Sequence, residues 1–87
     1  MDNNIIQSYF FKKDIFPNND IIINWLIDNN LNTTQKISEH KYYYKVKFLS
    51  EKKLKLQGYN IIRKPFKEGI MINIAFKSPI INSFVSF

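Results

Sequence analysis

Along 40–49, HKYYYKVKFL, side-chain character alternates with period two. Tyr42, Tyr44, Val46 and Phe48 fall on one side, and Lys41, Tyr43, Lys45 and Lys47 on the other. Successive side chains of a strand leave on opposite faces, so this stretch predicts a strand with one apolar and one cationic face. Aromatic and β-branched residues suit such a half-buried pleated surface. The pattern returns in 70–77, IMINIAFK, where Ile70, Ile72, Ile74 and Phe76 oppose Met71, Asn73, Ala75 and Lys77. The simplest expectation is that both apolar rows lie in one sheet beneath one helix.

That helix is expected over about 19–30, starting from Phe16-Pro17-Asn18-Asn19-Asp20. An Asn or Asp before an apolar periodic run offers an acceptor to the free N–H groups of the first turn. Ile22, Trp25, Leu26 and Asn29 share a face at spacings of three and four, and Ile23 and Ile27 widen it. The run of three isoleucines would also suit a strand. The caps and the Trp25-Leu26 spacing favour a helix, with Trp25 as its core anchor. Asn29-Asn30 suits a left-handed C-terminal cap, because Asn tolerates positive φ.

The remaining segments are shorter. In 4–11, NIIQSYFF, Ile5, Gln7, Tyr9 and Phe11 oppose Ile6, Ser8 and Phe10, so both faces are largely apolar. Such a strand belongs in the middle of a sheet or under cover on both sides. Thr33–Ser38 reads as a polar edge strand whose Lys36 discourages unwanted pairing. The stretch 50–57, SEKKLKLQ, reads as an extended basic connection, although Ser50-Glu51 could open one helical turn. Gly58 permits a turn, 59–64 predicts a strand, and Pro65 should end it for want of a ladder donor. Lys67-Glu68-Gly69 is a hairpin-type turn. Ser78-Pro79 breaks the last strand and leaves the apolar tail 80–87. Ile80, Ile81, Phe84, Val85 and Phe87 would pack there as an edge strand or dock on a partner. The expectation is a single domain spanning 1–87, α+β in class. It has two layers, with one main helix across an antiparallel sheet of about four to six short strands.

At 87 residues the chain can build one modest core. It has no cysteine, no basic segment leading into an apolar signal run, and nothing near the ~20 apolar residues of a membrane span. The expectation is an intracellular protein, neither secreted nor transmembrane. Net charge is +6 and unevenly spread, at −2 over 1–40 and +8 over 41–87. Such asymmetry suggests a polyanionic partner. Lysines outnumber the lone Arg63 twelve to one, and Ile, Asn, Lys, Phe and Tyr all have AT-rich codons. Codon bias would therefore produce part of this charge without selection for it.

Little points to catalysis. His40 is the only histidine, and on a strand its neighbour Glu39 would face the opposite way. No two of the seven carboxylates have i, i+3 or i, i+4 spacing, and Gly58 and Gly69 are too far apart to build a phosphate loop. No enzymatic activity, cofactor or metal is expected. The basic region is more suggestive. Lys41, Lys45, Lys47, Lys52, Lys53, Lys55, Arg63 and Lys64, with Tyr43 among them, are the candidate nucleic-acid contacts. Cations that neutralise phosphates beside a ring that stacks on a base make a single-strand surface. A solvated sheet face, with lysine stems covering the rings beneath, fits the same residues.

The order of elements resembles a small, poorly characterised module of large DNA viruses and tailed phages. The residues that carry the resemblance are Ile6-Gln7, Phe16, Trp25-Leu26, Tyr43-Tyr44-Lys45-Val46-Lys47 and Gly69-Ile70. Lysines stand at 45 and 47 where that module usually has arginine. The resemblance implies a viral or phage origin, with no known catalytic activity. The resulting expectation is a non-enzymatic viral accessory or virion-associated binding protein, acting in the infected cell or virion. Its partner would be DNA or RNA bound without sequence preference. The alternative is an assembly subunit that binds another viral protein or itself through its tail. No membrane partner is expected.

Overall fold

Ile5–Lys12 (β1) lies at the centre of the sheet, with both edges occupied. The computed structural model describes residues 4–77. After β1 the chain continues through α1 (Asn19–Asp28), β2 (Ile37–Glu39), β3 (Tyr43–Lys47), α2 (Glu51–Leu56), β4 (Tyr59–Lys67) and β5 (Ile70–Lys77). The five strands are ordered β2-β3-β1-β5-β4, and every neighbouring pair is antiparallel. Two hairpins, β2–β3 and β4–β5, thus flank β1. This is the expected small α+β fold, with a helix packed on an antiparallel sheet. The apolar tail read in 80–87 lies outside the described residues.

The two one-sided strands do share a roof. Val46 on β3 and Ile70 and Ile72 on β5 are buried with Tyr9 and Phe11 of β1 and Ile22 and Leu26 of α1. Tyr44, Phe48, Ile74, Ile6 and Trp25 pack at the margin of this cluster. Trp25 meets Tyr9 and Phe11 edge-on, each at 5.4 Å between ring centroids. Two expected members of the rows do not join it. Tyr42 precedes β3 in the connecting turn and is 70% exposed, and Phe76 lies beyond the cluster, half-buried.

Helix α1 forms where its caps allow. Asn18 Oδ1 accepts from the Ile21 N–H at 3.1 Å. At the other end Asn30 has φ of 58°, its N–H donates to the Ile27 carbonyl, and the Leu31 N–H reaches back to Leu26 at 2.8 Å. This reciprocal pair closes the helix and brings Leu31 onto the core beside Leu26.

Three expectations are corrected. Residues 51–56 are helical rather than extended. Ser50 Oγ caps the Lys53 N–H, Glu51 pairs with Lys55 one turn on, and Leu54 is buried. Pro65 does not end β4, which runs on to Lys67. An edge strand tolerates proline because one side of its backbone needs no ladder partner. The edge strand near 33–38 is confined to Ile37–Glu39.

Candidate nucleic-acid interface

The face of the sheet turned away from α1 is built by strand register. Opposite residues on neighbouring strands share a face. Phe10 pairs with Lys45 and Met71, Ser8 with Lys47 and Asn73, and Asn73 with Arg63. Tyr43 pairs with Lys12, and Lys77 with Tyr59. This outer face therefore carries Lys12, Lys45, Lys47, Arg63 and Lys77, with Tyr43 and Tyr59 among them. Glu39 is the only carboxylate in the strands among the described residues, and its pairing with Tyr44 puts it on the α1 side. There it takes Lys13 as an ion-pair partner at 2.8 Å.

Not all the candidate contacts gather on this surface. Lys45, Lys47, Tyr43 and Arg63 do. Lys64 pairs with Ile72 and so belongs to the opposite face. Lys41 sits in the β2–β3 connection with its ammonium 5.1 Å from the Tyr42 ring. Lys52, Lys53 and Lys55 belong to α2, where Glu51 engages Lys55 at 3.1 Å. Tyr43 is only half free to stack on a base. The His40 ring lies flat against it at 4.7 Å, and Phe10 meets it edge-on at 5.4 Å. His40 also lies 3.2 Å from Ser38 Oγ, which gives it a structural place in the hairpin.

Sequence reading missed the middle of this face. Phe10 points away from α1 yet is 4% exposed. It is covered by the Arg63 guanidinium at 4.0 Å from its centroid, by the Lys45 ammonium at 5.3 Å, and by Tyr43. Beside it runs a chain of buried amides. Register steps from Ile6↔Ile74 to Ser8↔Asn73, two residues of β1 against one of β5, so Gln7 is the extra residue of a bulge. The bulge breaks the alternation expected for β1. Ile6 joins Tyr9 and Phe11 on the α1 side, while the Gln7 side chain joins Ser8 and Asn73.

Gln7 is fully buried and uses both ends of its amide. Nε2 donates to the Leu49 carbonyl at 2.7 Å, and Oε1 accepts from Ser8 Oγ at 2.7 Å and from Asn73 Nδ2 at 3.4 Å. Asn73 Oδ1 in turn accepts from Arg63 Nε at 3.3 Å. No buried side-chain polar atom among the described residues lacks a partner. The polar pair Gln7-Ser8, set between Ile5-Ile6 and Tyr9-Phe10-Phe11, is the one local signal that could have pointed here.

No family model, curated protein or solved structure matches this chain. No group of three or more His, Asp or Glu residues among the described residues could hold a metal ion, and no described helix is long and apolar enough to cross a membrane. What the outer face offers chemically is positive charge, ring edges and hydrogen-bond donors, a set suited to oxyanions.

Proposed function

We propose that this protein is a small non-enzymatic binding module that associates with nucleic acid through the outer face of its sheet, without sequence preference. The viral accessory or virion-associated role carried by the family resemblance fits this reading. One observation supports it above the others. Strand register collects Lys12, Lys45, Lys47, Arg63 and Lys77 on one face, and the only strand carboxylate among the described residues sits on the other. Codon bias explains how many lysines a chain has; it does not explain why register sorts them from acid. Scattered surface lysines would leave acidic residues among them, as Glu51 stands among the lysines of α2.

The test is salt dependence. Anisotropy titrations of a labelled single-stranded oligonucleotide should give an affinity that falls steeply and linearly on a log–log plot against salt. Replacing Lys45 and Lys47 with Gln should flatten that slope by ~1.4, about 0.7 for each lost phosphate contact on a single strand. A wild-type affinity indifferent to salt overturns the reading.

A further inference from the structure

Among the cations of the outer face, Arg63 is held differently from the rest. It is the chain's only arginine. Its guanidinium lies over the Phe10 ring at 4.0 Å, and its Nε donates to Asn73 Oδ1. A planar group held by a stacking contact and one hydrogen bond has its plane and its direction both fixed. The anchor beneath it is itself held. Asn73 is buried against Gln7, and Gln7 is tied to Leu49 and Ser8. Lys41, Lys67 and Lys77 lie over rings at 5.0–5.4 Å with no such polar anchor among the described residues.

Two features turn this geometry towards a ligand. The network uses Nε and leaves both terminal nitrogens of Arg63 without a hydrogen-bond partner among the described residues, on an exposed side chain. The Lys45 ammonium reaches over the same Phe10 ring from the far side of β1, so two cations converge where neither has a carboxylate partner among the described residues. Two like charges over one ring repel each other, and an anion between them is attracted by both.

We propose that Arg63 and Lys45 form a preorganised seat for one phosphate group above Phe10, with Asn73 and Gln7 as the positioning residues. This deepens the nucleic-acid reading and rests on it for the phosphodiester as natural ligand. The terminal nitrogens of Arg63 donate as a fork to two phosphate oxygens, and Lys45 neutralises the remaining charge. The other lysines act as diffuse counter-charges. The seat therefore sets where the strand's backbone sits, while the lysines set how strongly salt opposes binding.

Arg63→Lys separates the two roles, because it keeps the charge and removes the fork. Oligonucleotide affinity should fall about tenfold, the cost of losing a charge-assisted bidentate contact, with the salt slope unchanged. Asn73→Ser should weaken binding in the same direction without altering any charge, and circular dichroism would verify that both variants fold. Wild-type affinity in Arg63→Lys overturns the seat and leaves the general reading standing. If the wild-type protein ignores oligonucleotides, the general reading falls, and inorganic phosphate judges the seat alone. A saturable movement of the Arg63 Nε–Hε resonance, lost in Asn73→Ser, supports it. A resonance that phosphate does not move overturns it.

Discussion

The two faces of this sheet are made from the same strands, one residue apart, and they solve burial differently. On the α1 side, Phe11 is covered by a second layer: Phe16 meets it edge-on at 5.0 Å and Trp25 at 5.4 Å, with Ile22 and Leu26 in the same cluster. On the outer side, Phe10 is nearly as dry, and what lies over it is different. Long side chains of its own sheet fold over it, with their charged ends against the ring face. Burial by a packed layer is fixed by the fold. Burial by side-chain lids is conditional on the ring itself, since Phe10 is part of what holds Arg63 and Lys45 in place. Equal exposure therefore does not mean equal contribution to stability.

Alanine substitution at the two rings should expose this difference most strongly. Phe11→Ala removes a ring from rigid surroundings and should cost about 3–5 kcal/mol. That is comparable to the whole net stability of roughly 3–5 kcal/mol that a core of this size supplies, so the variant should be largely unfolded. Phe10→Ala leaves a space that its lids can vacate, and it should still show a cooperative urea transition at a lower midpoint. Equal losses from the two substitutions would mean that the lids are as fixed as the helix.

The next effect in size concerns the amide chain. Gln7→Leu keeps the volume but strips the Leu49 carbonyl, Ser8 and Asn73 of a shared partner. Leaving buried polar groups unsatisfied should cost about 2–3 kcal/mol, read from the urea midpoint at constant slope. A neutral result would show that water reaches these groups, and that the outer face is ordinary surface.

How much of this was legible in the sequence follows how local each cause is. The alternation of 43–47 and 70–77, the Asn18 cap and the positive φ at Asn30 are each settled within a few residues, and the chain shows them openly. Helix α2 is six residues long, too short for a 3.6-residue period to outweigh the alternation of Leu54 and Leu56. Pro65 misled because its effect depends on whether β4 is an edge, which only the sheet order reveals. The bulge at Gln7 is defined only against β5, since an extra residue is extra relative to a partner. The Arg63 network spans β4, β5 and β1, so it was hidden for the same reason. The lysine surface was readable as a composition. Its sorting was not, because Lys64 and Arg63 are neighbours in sequence and end on opposite faces.

The smallest effect reads burial on the α1 side through pH. Tyr9 lies on the α1 side among Trp25, Phe48 and Phe11, and burial raises its phenol above the ordinary value of 10.0. A raised folded value means that the folded state holds the proton more tightly than the unfolded chain does. Stability is therefore full below about pH 10 and declines as pH rises from there through the raised value, because the unfolded chain ionises first. Tyr9→Phe removes this term while keeping the ring, so its stability should fall less steeply between neutral and strongly alkaline pH than that of the wild type. Chemical denaturation of the two proteins in a series of alkaline buffers would measure the difference. An alkaline slope unchanged in Tyr9→Phe would mean that water reaches this phenol in the folded protein.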